Sequence, residues 1–170
     1  MGVKHKTVKN DFPSMKKNID LLDGEGVEVG VLEGEHKWLA AIHEYGLTMK
    51  VTNKQRRYMA KQGLILGKTL TIPERSFLRT GYDTNRDAVI KKASKMLADA
   101  VSGNMSANAV FEGVGLELSS KIKDYARDLD SPANHPFTID QKGSSNPLVG
   151  GKDGSGGGDM IEGITWRKAK

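Results

Sequence analysis

The sequence predicts an α+β fold: a small antiparallel or mixed sheet packed against two long helices, with extended loops or arms. Three observations carry that prediction. Val27, Val29 and Val31 alternate with Glu28 and Gly30, the period of a half-buried strand. Between residues 84 and 129, apolar side chains recur at spacings of three and four, the period of helices buried on one face. From 131 to 159 the chain carries three of its five prolines and seven of its twenty glycines, which interrupts both periods.

The elements follow in order. Residues 3–10 are basic and poorly patterned, and read as a mobile terminus. Asp11, Pro13 and Ser14 start a short helix, because proline in the first helical position gives up no needed donor. Met15, Ile19 and Leu22 line its apolar side, and Asp23-Gly24 ends it. The strand at 27–31 closes at Glu33-Gly34. His36 to Tyr45 is a compact helix burying Leu39, Ala40, Ile42 and His43, with Gly46 as a left-handed cap. Thr52 caps a helix from Asn53 to Gln62 that Gly63 closes. Leu64 to Ile72 is apolar and β-branched, suited to a strand or a hairpin arm.

Thr84 caps a helix with Val89, Ala93, Met96, Leu97 and Ala100 on one face, ending at Gly103. Ser106 caps a longer one running through Val110, Phe111, Val114, Leu118, Ile122, Tyr125 and Leu129. Gly113 and Gly115 inside it each cost ~1 kcal/mol against alanine, tolerable where helices approach closely. Ser131-Pro132 breaks this helix, and Met160 to Trp166 resumes apolar patterning as a strand or a short helix and strand. Residues 1–24 thus form a basic arm and short helix. Residues 25–168 form a single domain with a flexible glycine-rich loop at 143–159.

Composition excludes several function classes. The 170 residues include no cysteine, which removes disulfides, thiolate metal sites and cysteine nucleophiles. No apolar run is long enough to span a bilayer, and the N-terminus has no apolar stretch behind its charges. The net charge of +5 is unevenly laid out. Residues 18–49 hold seven acids against Lys37, and residues 50–80 hold eight basic side chains against Glu74. Blocks of opposite sign pair within a fold or between copies of it.

No motif carries chemistry. Gly63 to Thr69 resembles a phosphate-binding loop, but it has one residue too few between its glycines and runs into Ile72-Pro73 rather than a helix. The glycines at 150–158 follow no strong strand and precede no clear helix, so the dinucleotide fingerprint fails. His36 and His43, seven apart on one helix, sit ~10 Å apart along its axis, too far to share a metal ion. One reads as a surface residue and the other as packed against the sheet. His135 has no nucleophile beside it, and no carboxylate pair lies in an apolar setting. The expectation is therefore a protein that is not an enzyme, with no cofactor and no metal.

The basic segment Lys50, Lys54, Arg56, Arg57, Lys61, Lys68, Arg75 and Arg79 lacks interleaved stacking aromatics, Tyr58 excepted. A solvated or protein-facing surface suits it better than nucleic acid, which stays as the alternative.

Three blocks in order carry a resemblance. The first is Val27-Glu-Val-Gly-Val31 followed by Leu39-Ala-Ala-Ile-His-Glu-Tyr-Gly46. The second is Met49 to Gly63 leading into Thr71-Ile-Pro-Glu-Arg-Ser-Phe-Leu-Arg79. The third is Lys142-Gly-Ser-Ser-Asn-Pro-Leu-Val149 with Met160-Ile-Glu-Gly-Ile-Thr-Trp166. Together they resemble the virion-morphogenesis and tail-completion (neck) proteins of long-tailed bacteriophages. The chain departs from that pattern at Ser76, where proline is usual, and in the glycine tract before Asp159.

The resemblance implies a structural virion protein at the head–tail junction. It would be made in the host cytoplasm and form a ring, commonly a hexamer, that ends the tail and joins it to the head. Implied partners are copies of itself, the tail tube or tail terminator, and head-closure or connector proteins, with genomic DNA in passing contact and no membrane. The residues carried over are Tyr45, Gly46, Pro73, Arg75, Phe77 and Leu78. Pro73 fixes a turn, Phe77 and Leu78 anchor it, and Arg75 is suited to bonding a carboxylate bidentately. Arg56, Arg57 and Arg79 join them as candidate partner-contact residues.

Overall fold

The structure, a computed structural model, describes residues 12–150 and 157–169. The basic terminus expected at 3–10, and residues 151–156 of the glycine tract, lie outside them.

The fold is α+β. Its centre is an antiparallel pair of helices, α4 (Phe77–Val101) and α5 (Ala107–Asp128), packed along their lengths. Two strands, β1 (Gly26–Val31) and β4 (Ile164–Ala169), pair antiparallel and lie on α5. Their register sets Val29 against Trp166 and Val31 against Ile164. It also sets Glu28 against Arg167, whose Nε lies 2.7 Å from the carboxylate. Three acids of the acidic block, Glu25, Glu28 and Glu44, are answered within the chain, by Lys168, Arg167 and Arg79.

The core gathers Phe77, Leu118, Ile122, Ala126, Leu148, Met160, Ile161 and Ile164, with Ala40 and Val89. Ala40 comes from α2 (His36–Tyr45), and Met160 and Ile161 from α7 (Gly157–Glu162). The helix-then-strand reading of the C-terminal segment matches this arrangement.

Close approach explains three helical glycines. A Cβ on Gly81 would sit 3.3 Å from Tyr125 Cδ1, where α4 crosses α5. One on Gly113 would strike the flexible end of Met96 on α4. One on Gly115 would strike the indole of Trp166, so this glycine admits a strand side chain rather than a helix.

The first helix, α1 (Phe12–Leu22), buries no residue fully and docks through Asn18. Its amide nitrogen donates to the carbonyls of Ala100 (3.0 Å) and Met105 (2.9 Å), and its oxygen accepts from Ala107 N (3.3 Å). One side chain thus satisfies backbone groups at the end of α4 and the start of α5.

Several expectations are corrected. The helix expected from Thr84 begins two turns earlier, at Phe77, so Thr84 is an exposed interior residue. The region 64–72 forms only a short strand, β3 (Thr69–Ile72), paired antiparallel with β2 (Leu47–Lys50), a strand that no alternation of residue types announces. Between them stands α3 (Asn53–Lys61), with Thr52 and Gln55 making a reciprocal capping box. A further helix, α6 (Pro136–Lys142), occupies part of the proline-rich stretch.

The segment expected to be a flexible loop from 143 is fixed through residue 149. Asn146 Oδ1 accepts from the amides of Leu148 and Val149, and Leu148 is buried in the core. Gly46 has a positive φ of 71° but a ψ of 170°. That is an extended conformation open essentially to glycine alone, not the left-handed helical cap expected.

Candidate functional site

The Glu44-Tyr45-Gly46 helix end and the Ile72–Arg79 block meet at one corner. Gly46 permits the contact, since a Cβ there would lie 3.0 Å from both Glu74 N and Ile72 O. Arg75 N donates to His43 O at 2.6 Å, tying the start of α4 to the end of α2.

Glu44 is buried, and its carboxylate caps α4. Oε2 accepts from Leu78 N at 2.9 Å and Oε1 from Arg79 N at 3.1 Å. A negative group at a helix N-terminus satisfies orphan donors and opposes the macrodipole. Ser76, the residue in the capping position, makes no such bond and faces Thr80 instead. Arg79 completes the unit. Its guanidinium bonds Glu44 at 2.8 Å and Glu74 at 2.6 Å, and lies 4.9 Å above the exposed ring of Tyr45.

Arg75 is 4% exposed and turns inward. Its Nε donates to Pro132 O at 2.7 Å, and Nη2 to Ala133 O at 3.2 Å and Asn134 Oδ1 at 3.1 Å. Nη1 reaches His43 Nδ1 at 3.3 Å. The expected bidentate carboxylate is therefore replaced by carbonyls of the 132–134 loop, and no ion pair to Arg75 exists among the described residues. Burial, then the charges of Arg75 and Lys142, push His43 down to about 4. The ring is neutral at pH 7 and, protonated on Nε2, accepts from Arg75 through Nδ1.

Arg75, His43 and Asn134 form the polar end of a cleft of about 480 Å³. Met49, Val51, Met59, Leu64, Leu66 and Leu70 make its apolar wall, all from the arm at 47–72, and Phe137 of α6 faces them. His135, considered above as a base, instead caps α6, its Nδ1 accepting from Phe137 N at 3.2 Å.

The outer face of α3 is the second surface of note. Lys54, Arg57 and Lys61 surround Tyr58, which is 63% exposed, in an open depression of about 320 Å³. None of the three cations has an ion pair among the described residues. Arg56 is tied to the returning chain through Leu66 O at 3.2 Å.

The nine candidate contact residues therefore divide. Tyr45, Arg56, Arg57 and Arg79 present surface, and Pro73 lines the cleft. Leu78 is half-buried, and Gly46 serves the close approach. Arg75 and Phe77 are buried in the chain itself, so they offer no partner-facing surface, because the fold needs both inside. Sequence reasoning missed Glu44 as a cap. No local signal pointed to it, because Ser76 is itself a favoured capping residue type and Glu44 lies more than thirty residues before the helix.

Among the described residues no group of three or more His, Asp or Glu could hold a metal ion, and no helix is long and apolar enough to cross a membrane. No family model, no curated protein and no solved structure matches the chain.

Proposed function

We propose that the chain is a structural virion protein at the head–tail junction, forming a ring that ends the tail and joins it to the head. In this reading it catalyses nothing. Its partners are copies of itself, six to a ring, together with a tail tube or terminator below and head-closure or connector proteins above. Genomic DNA passes through the opening.

The observation that supports the reading is the meeting of the two most specific blocks of the resemblance. Glu44-Tyr45-Gly46 and Pro73 to Arg79 form one interlocked corner, in which Glu44 caps the helix that begins at Phe77 and pairs with Arg79 in its first turn. The arm at 47–72 leaves that corner as a strand–helix–strand extension with an exposed cationic helix, suited to contacts outside its own subunit. Labelling purified particles with an antibody to this chain tests it. Label at the neck is expected, and particles lacking the protein would end the idea.

The exposed cations of α3 favour a second reading, a nucleic-acid-binding module. Affinity for duplex DNA would then fall by about one decade per decade of salt for each phosphate neutralised. Charge reversal at Arg56 and Arg57 would abolish it, and no binding at low salt would remove this reading.

A further inference from the structure

The charges of the acidic block are not all answered inside the chain. Glu33 and Glu35, before and at the start of α2, have no ion pair among the described residues. One turn after Glu35, on the same side of the helix, stands Trp38, 71% exposed. Lys37 projects about 100° away around the axis. An indole so exposed beside free carboxylates is unusual for a finished surface, because tryptophan is strongly favoured at the buried centre of interfaces.

The depression on α3 offers the complementary chemistry. Three cations without acidic partners surround the ring of Tyr58. Tryptophan is the best π partner for Lys or Arg, and flanking carboxylates would meet the remaining ammonium groups. The two surfaces differ and sit on separate elements of one chain. A contact between them is therefore heterologous, the kind that closes a ring when the rotation permits.

We infer that the Glu33–Glu35–Trp38 corner of one copy seats in the Lys54–Arg57–Tyr58–Lys61 depression of the next copy. The inference rests on the ring reading and names its subunit contact.

Sedimentation velocity on the full chain over a concentration series tests it. Salt is set at about 0.01 M, where exposed charges act over roughly 30 Å, and again at about 1 M, where they act over roughly 3 Å. Concentration-dependent association that weakens in high salt is expected. Trp38→Ala, Glu33→Lys with Glu35→Lys, and Arg57→Glu with Lys61→Glu should each weaken it at least about tenfold. Combining the two charge reversals should recover the ion-pair share of it, leaving the cation–π share at Trp38 lost. All five residues are exposed, so unchanged melting temperatures verify that the variants fold.

A chain that stays monomeric throughout, reversals without effect, or a combination that fails to recover would each overturn the inference. Loss of DNA binding on reversing α3, with association unaltered, would assign the depression to nucleic acid instead. Because the ring reading is decided by the protein's position in particles, association that ignores these residues defeats the contact and leaves the ring.

Discussion

The carboxylate of Glu44 accepts hydrogen bonds from both the amide and the guanidinium of Arg79, at 3.1 and 2.8 Å. One residue thereby caps a 25-residue helix and holds the side chain that reaches back over Tyr45. Replacing it removes more than one bond. Glu44→Ala leaves the amides of Leu78 and Arg79 without their acceptor, while the exposed Arg79 guanidinium keeps Glu74, and is expected to destabilise the fold by about 1–3 kcal/mol. Denaturant unfolding measures this. Thr84→Ala, at the cap position suggested by sequence, should change stability by less than about 0.5 kcal/mol.

His43 sets a pH dependence. Its pKa is near 4 in the folded chain and near the ordinary 6.5 unfolded, so the unfolded chain binds the extra proton between those values. Stability from the neutral ring is complete above about 6.5, falls as pH drops through the window, and is lost below about 4. The total is about 3 kcal/mol at most, at 1.36 kcal/mol for each unit. Urea midpoints from pH 7 to pH 4 should show this fall, and His43→Gln should flatten it.

Two glycines of α5 should answer alanine with opposite signs. At Gly113 the obstacle is the end of Met96, which can swing aside, so the helix keeps a gain of up to ~1 kcal/mol. At Gly115 the obstacle is the rigid ring of Trp166, and the clash should cost about 1–3 kcal/mol. Thermal unfolding separates the two, and Trp166 fluorescence should shift in the second alone.

Asn18→Ala should release α1 without unfolding the rest. Three backbone groups lose their partner, at about 1–2 kcal/mol for a lost cap. Hydrogen exchange should rise over residues 12–22 while the centres of α4 and α5 remain protected.

What was legible in the sequence is what short-range physics decides. The apolar period marks α5 and β1, Thr52 and Ser106 mark helix starts, and their side chains accept the bonds expected of them. The start of α4 was not legible, because its cap arrives from Glu44, more than thirty residues earlier in the chain. Nor was the β2–β3 pair, whose strands exist only through each other.

The sequence by itself determined the fold class, the main helices and the segregation of charge into an acidic and a basic block. Tertiary structure decided which of those charges are answered. Burial and pairing are properties of distance in space, so Glu28 and Glu44 find Arg167 and Arg79 in the folded chain, and Arg75 is drawn inside against carbonyls. The cations around Tyr58 and the acids beside Trp38 face outward, because the elements that carry them stand at the edge of the fold.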